Sequence, residues 1–323
     1  MKQFYIIIVL LLSVCIINGQ ETNKSGTTAA QFLKIGVGAR ATAMSGAVVG
    51  LVNDATATYW NPSGLVGVKK LTINANITDW FLDVDHQNFA LVFPVDGSQS
   101  IALSATLLNM GKMEVTTERD PTGTGNFFKA SDIAVGLTYA VQIVDFFSFG
   151  ATVKYINQNL YKESASAFAI DLGTTLTTGY NGIKIGMSFL NFGTKLQLEG
   201  PDLQKSYDQN PRNATNVGVA SNLITESWGL PLLIKVGIGW DLISNSDALI
   251  WSDRHKLRLG IDANHPIDAP EYLSLGTEYG WHDLLFIRGG YSFNDGEKDY
   301  SFGGGINWNV SNNFSIIFDY AFV

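Results

Sequence analysis

From Leu71 onward the chain is built on a period of two. About thirteen runs of roughly ten residues alternate apolar side chains with small or polar ones. Successive side chains of a strand point to opposite faces, so each run reads as a strand with one apolar and one polar face. In the first, Leu71, Ile73, Ala75 and Ile77 share a face opposite Thr72, Asn74, Asn76 and Thr78. In the last, Phe314, Ile316, Phe318, Tyr320 and Phe322 alternate with Ser315, Ile317, Asp319 and Ala321. A soluble sandwich and a membrane barrel both alternate this way. Two features favour the barrel. Glycines and charges fall on one face of strand after strand, while the other face ends in Tyr, Trp or Phe, as in interfacial aromatic girdles. Charged residues are only 15% of the chain, against a usual fraction of about 25%, too few to clothe a water-facing exterior. The predicted fold is all-β, a transmembrane antiparallel β-barrel of 13–14 strands with an N-terminal plug.

The N-terminus reads as a secretory signal. Lys2 precedes an apolar stretch from Tyr5 to Ile17, and Gly19 offers a cleavage site before Gln20. Removal leaves a plug over 20–69 and a barrel over 70–323. Cys15, the only cysteine, leaves with the signal, so disulfide and thiolate chemistry are not expected. After Gln20 no apolar run reaches helix-spanning length, and a chain in lipid without such helices must close as a barrel. The net charge of −8 argues against nucleic acid, which needs a basic face.

The plug segment is small-residue-rich and aperiodic. Gly36-Val37-Gly38-Ala39-Arg40-Ala41 imitates a dinucleotide fingerprint, but no βαβ unit surrounds it. Its small residues are expected to let backbone pack closely inside the barrel, with Arg40 held by a lumen carboxylate. Asp54 and Tyr59-Trp60-Asn61-Pro62 are placed at the plug–barrel junction. Asn61 before Pro62 favours extended backbone. Trp60 is expected to anchor the segment at the rim.

Connections differ in length. Val95 to Gln99, Val141 to Asp145, Thr178 to Gly182, Trp281 to Asp283 and Asn309 to Asn313 are short; Met110 to Lys129 and Asn191 to Gly229 are long and polar. Short periplasmic turns and long outer loops are the usual asymmetry. Placing all short turns on one side gives thirteen strands, whereas single-chain bacterial barrels have even numbers. Either Asn216 to Leu223 adds a strand, or the chain stops one strand early. Turn lengths favour the second, with an exposed edge at Phe314 to Phe322.

The inward faces carry Lys154, Asp171, Lys184, Lys235, Asp241, Arg258, Asp262, Glu278, Arg288 and Asp319. Both signs are present, and a salt-bridged filling around a plug is favoured over an open polar conduit. His86, His255, His265 and His282 lack metal-ligand spacing, and no nucleophile–base or paired-carboxylate arrangement stands out. No cofactor and no catalytic residue are assigned.

Phe32 to Ala41, Asp54 to Leu65, Gly111 to Gly125, His265-Pro266, Glu278-Tyr279, Leu285 to Tyr291 and Asp319 to Phe322 together resemble the PorV/PorQ family. Trp60 to Leu65 is shared with the wider FadL-like transporters. The resemblance implies a fourteen-stranded FadL-like outer-membrane barrel with a plug, in Bacteroidetes-type bacteria. It implies partners in the type IX secretion translocon and in the C-terminal signal domains of cargo. Family members usually continue past the Asp-Tyr-Ala segment with a loop and a final strand. Two other readings stand beside this one: a FadL-like transporter of long-chain fatty acids or other hydrophobic small molecules, and a structural surface barrel.

Overall fold

A computed structural model describes residues 26–80, 84–208, 218–294, 300–311 and 314–323. The predicted signal lies outside the described residues. Thirteen strands follow one another in an antiparallel meander. They are β1 (Thr72–Asp79), β2 (Asp85–Pro94), β3 (Gln99–Asn109), β4 (Ala130–Val144), β5 (Phe147–Leu160), β6 (Glu163–Thr177) and β7 (Ile183–Gly193). Then come β8 (Leu233–Ser244), β9 (His255–Pro266), β10 (Tyr272–Trp281), β11 (Leu285–Phe293), β12 (Tyr300–Ser311) and β13 (Phe314–Phe322). Their lengths of 8 to 15 residues match the 9–11 that a tilted strand needs to cross a bilayer.

The alternation has the sense that lipid demands. Ile73, Leu137, Val153 and Phe168 point outward and are exposed, while Thr138, Thr152 and Asp171 are buried inside. A soluble protein would have turned these faces the other way. No helix among the described residues is long and apolar enough to cross a membrane; the strands do so.

Short connections occur at both ends, contrary to the sequence-based expectation. Tyr161–Lys162 joins β5 to β6 at the end that carries the long loops, with Tyr161 left-handed (φ 58°) to make so tight a turn. At the other end, ten residues join β8 to β9, and Ile250–Trp251 within them pairs parallel with β8. Asn216 to Leu223 does not add a wall strand. Val219–Asn222 pairs with Gln204–Tyr207 in a hairpin on the loop between β7 and β8; Asn216 and Val217 lie outside the described residues. Antiparallel pairing with its own neighbour in the loop satisfies that backbone locally.

β13 pairs with β12 and β1 with β2; the sheet is not closed between β1 and β13. With thirteen alternating strands the two edges run in the same direction, so one antiparallel strand would fit between them. β13 is exposed on both faces along most of its length.

Residues 26–70 fill the bore. Short helical turns (Gln31–Lys34, Ala39–Thr42, Ala57–Trp60, Pro62–Gly67) are joined by tight bends. At Gly38 the backbone is left-handed (φ 86°), and a Cβ there would lie 2.6 Å from Thr56 Cγ2. Met44, Val48, Leu51, Val52, Trp60 and Leu65 form a core with the inward-facing Ala90, Val92, Ala102 and Ala140. Nearer the long loops, Phe32 and Leu33 pack on Leu108, Ala134, Ile156 and Ala167.

Candidate functional site

Where plug meets wall, the register builds tiers. Gly239, Gly260, Gly276 and Gly290 lie directly opposite one another across β8 to β11, and Ser301 on β12 continues the row. These glycines have no side chain because plug backbone occupies that space. A Cβ on Gly260 would overlap the Ala47 carbonyl oxygen, and one on Gly276 would lie 2.8 Å from Met44 Cβ. On β12, Ser301 Oγ donates to the Ala43 carbonyl (3.0 Å) and accepts from the Ser45 amide (2.9 Å). On β5 and β6, Gly150 and Gly173 make room for Asn61 and Pro62 in the same way.

Two residues toward the turn end is a tier of charge. Asp241, Arg258, Glu278 and Arg288 face one another in register across β8, β9, β10 and β11. Arg258 Nε reaches Asp241 at 2.9 Å and its Nη1 reaches Glu278 at 3.0 Å. Arg288 Nε lies 2.7 Å from Glu278, and its Nη1 2.6 Å from Asp319. Lys184 adds a bond to Asp241 at 2.9 Å. The plug joins through Arg40, whose Nε and Nη2 donate to both oxygens of Glu278 (2.9 and 3.2 Å) and whose Nη1 donates to Asp54 (2.7 Å). Four cations (Lys184, Arg40, Arg258, Arg288) meet four carboxylates (Asp54, Asp241, Glu278, Asp319), so the hub is neutral. Three guanidiniums converge on Glu278. Planar guanidinium suits such bidentate sharing, which a lysine could not reproduce.

Two residues to the loop side of the glycine row, Asp262 is fully buried and its Oδ2 accepts the plug amides of Val48 and Val49 at 2.8 and 2.9 Å. Elsewhere on the wall, Lys154 pairs with Asp171 at 2.8 Å. Asn61 is extended (φ −161°, ψ 102°). Its amide donates to Val49 O in the plug (2.8 Å) and Thr174 O in β6 (3.0 Å), and its oxygen accepts from Ser63 Oγ (2.8 Å). Trp60 is not at a rim. Its Nε1–H donates to Val37 O at 2.7 Å, which draws the indole into the plug. Gly36 lies beside that ring.

Asp268, in the connection between β9 and β10, had no local signal in the sequence. It clamps the start of the plug at the loop end, accepting bonds from Thr28 Oγ1 (2.5 Å), Gln31 Nε2 (2.8 Å) and Lys34 Nζ (3.0 Å). Its partners lie 234 to 240 positions away in the chain. Burial would raise its pKa, but those three donors outweigh it and hold the carboxyl below its ordinary value. A depressed folded-state pKa gives stability that is full above the unfolded value of about 3.9 and is lost as pH falls through the folded value. Asp268→Asn should therefore be less stable than the parent at neutral pH, and the gap in thermal unfolding should begin to close as pH falls below the unfolded value of about 3.9. A gap that does not narrow on acidification would refute the clamp.

A cavity of about 480 Å³ opens toward the loop end between plug and wall, lined by Phe32, Trp60, Trp80, Leu108 and Tyr272 among others. Among the described residues no group of three or more His, Cys, Asp or Glu is placed to hold a metal ion.

A strand meander with a lipid-facing exterior and a bore filled by its own N-terminal segment defines a plugged outer-membrane β-barrel. The family described as type IX secretion system protein PorV matches residues 18–207, more than half of the sequence. The chain belongs to that family, and its place is the outer membrane. No curated protein sequence gives a match. Among solved structures it is similar to the CymD monoaromatic hydrocarbon channel (13% identity, 89% of this chain and 92% of that one, TM-score 0.56). It is also similar to the Pseudomonas putida toluene transporter TodX (12%, 85% and 89%, 0.54) and a Pseudomonas aeruginosa FadL homologue (12%, 88% and 89%, 0.50). At such identities the likeness is one of fold, and the fold is FadL-like. Family and fold together point to transport or secretion rather than catalysis.

Proposed function

We propose that this barrel serves type IX secretion as a docking platform, not as the conduit: its loop end holds protein partners, the translocon or the C-terminal signal domains of cargo, while its own bore stays shut. No reaction is assigned to it. The single observation that carries this reading is family membership across residues 18–207. The loop between β7 and β8 supports it. Tyr207, Val219, Leu223, Ile224 and Trp228 are exposed on this excursion, Ile224 at 90%. Exposed apolar side chains gathered on one excursion suit an interaction surface. Passage of hydrophobic compounds through the bore is disfavoured by plug backbone lying against the glycine wall. The seam between β1 and β13 needs cover in lipid, since bare backbone groups there cost several kcal/mol each; we place one antiparallel strand in it.

Deleting the gene should leave cargo unprocessed in the periplasm. Deleting residues 201–224 should leave the barrel in the membrane but remove secretion partners from what co-purifies with it, as read by mass spectrometry. Normal surface display of cargo in the deletion strain would overturn the reading.

A further inference from the structure

We propose that the turn-end rim of β8 to β10 holds the headgroup of a phosphatidylethanolamine from the inner leaflet, its phosphate at Arg254, His255 and His282 and its ammonium at Asp253. The inference rests on the lipid-facing wall and is independent of the secretion reading. The connection between β8 and β9 is the longest at the turn end, and it is fixed in place. Ile250–Trp251 pairs parallel with Ile243–Ser244 at the end of β8. The Ser252 amide donates to the Ser244 carbonyl (2.9 Å), and Ser252 Oγ accepts the amides of Arg254 (3.3 Å) and His255 (3.0 Å). From the next turn, the His282 amide donates to the Arg254 carbonyl at 2.6 Å. These bonds gather Asp253, Arg254, His255 and His282 at one corner of the rim, and all of them are exposed.

Among the described residues neither the Arg254 guanidinium nor the Asp253 carboxylate has a hydrogen-bond or ion-pair partner. Their charged neighbours are engaged with each other: Lys256 Nζ lies 2.6 Å from Asp283. His255 Nδ1 lies 2.7 Å from the Tyr279 hydroxyl; with that hydroxyl donating, the ring proton sits on Nε2, the free nitrogen. Trp281 stands directly opposite His255 and meets the His282 ring edge-on, 4.8 Å between centres. Trp251, Tyr279 and Trp281 are exposed, and such rings mark the headgroup level of a membrane barrel. Leu249 and Ile250, exposed beside Trp251, carry the greasy wall down to that level.

Charge and place identify the occupant. A guanidinium with imidazole donors beside it suits phosphate oxygens. The unpaired carboxylate next to it would repel a plain anion and suits an ammonium. A headgroup with one charge of each sign, and N–H donors on its cation, satisfies both. Phosphatidylglycerol lacks the cation, and the choline of phosphatidylcholine lacks the N–H groups. Short turns lie on the periplasmic side of such barrels, so the rim faces the phospholipid leaflet.

The test is native mass spectrometry of the full chain, released by mild detergent from bilayers of equal parts phosphatidylethanolamine, phosphatidylglycerol and phosphatidylcholine with identical acyl chains. The parent should retain phospholipid with phosphatidylethanolamine enriched about tenfold. Arg254→Gln should lower retention of all three lipids about tenfold. Asp253→Asn should still retain lipid but lose the preference for ethanolamine. Circular dichroism checks that each variant is folded, and His282→Gln, with a smaller loss expected, stands in if Arg254→Gln is not. A parent that retains no lipid or all three equally, retention untouched by these phosphate-side variants, or a preference that survives Asp253→Asn would overturn the proposal.

Discussion

Valine at Gly260 is expected to unseat the plug. The new Cβ would overlap the Ala47 carbonyl oxygen and sit 3.2 Å from Leu51 Cδ1. The obstruction is backbone, so no rotamer change relieves it; either residues 43–51 move inward or β9 bows outward. Overpacking costs typically 1–3 kcal/mol, and a clash with main chain belongs at about the upper figure. The consequence for function is larger than the energy. Gly239, Gly260, Gly276 and Gly290 form one row against the plug, so a side chain in that row opens a gap along the seal. In planar bilayers the parent protein should conduct little, whereas Gly260→Val should show steady ion conductance and faster proteolysis within residues 43–51. Thr277→Val, one residue from Gly276 on the exposed face of β10, should change neither reading. A variant with the parent's conductance and protease resistance would show that the glycines are not holding the plug.

Glu278→Gln is expected to be the most destabilising change in the hub. It removes the carboxylate shared by Arg40, Arg258 and Arg288 and leaves the cluster with a net positive charge. Removing one member of a buried ion pair costs about 3–5 kcal/mol. The lower figure is appropriate, because each arginine keeps a second carboxylate: Asp54, Asp241 and Asp319 respectively. Adding Arg40→Met restores neutrality, so the double variant should be clearly more stable than the sum of the single losses predicts. Urea unfolding in phospholipid vesicles measures all three. Strict additivity would mean that Arg40 and Glu278 do not act as one unit.

The wall was legible because its signal is local. Which side of β10 faces lipid follows from Ser274, Gly276, Glu278 and Gly280 alternating with Leu275, Thr277, Tyr279 and Trp281, and no distant residue is needed to read it. The unpaired edge at Phe314–Phe322 follows from counting strands and turns. The short turns named from the sequence all lie at one end and the two long loops at the other, but length alone does not assign an end: Tyr161–Lys162 is short yet sits among the long loops, since chain direction decides where a turn lies. The Val219–Asn222 segment has strand chemistry, but its partner is the nearby Gln204–Tyr207 rather than the wall. Alternation identifies a strand without naming its neighbour.

Amphipathic strands with greasy outward rows, small or charged inward rows, and a leading segment too irregular to be one of them can all be read along the chain. So can an inward supply of both charges. Only the tertiary structure decided that Asp241, Arg258, Glu278 and Arg288 stand in one row, that Arg40 enters that row from 238 positions away, that Trp60 turns into the plug, and that Lys235 ends up under an apolar cavity. The physical reason is register. Period two sets the face of every side chain within its own strand, whereas which side chains meet across strands, and which glycine receives which turn of the plug, is set by long-range pairing that no local run of residues encodes.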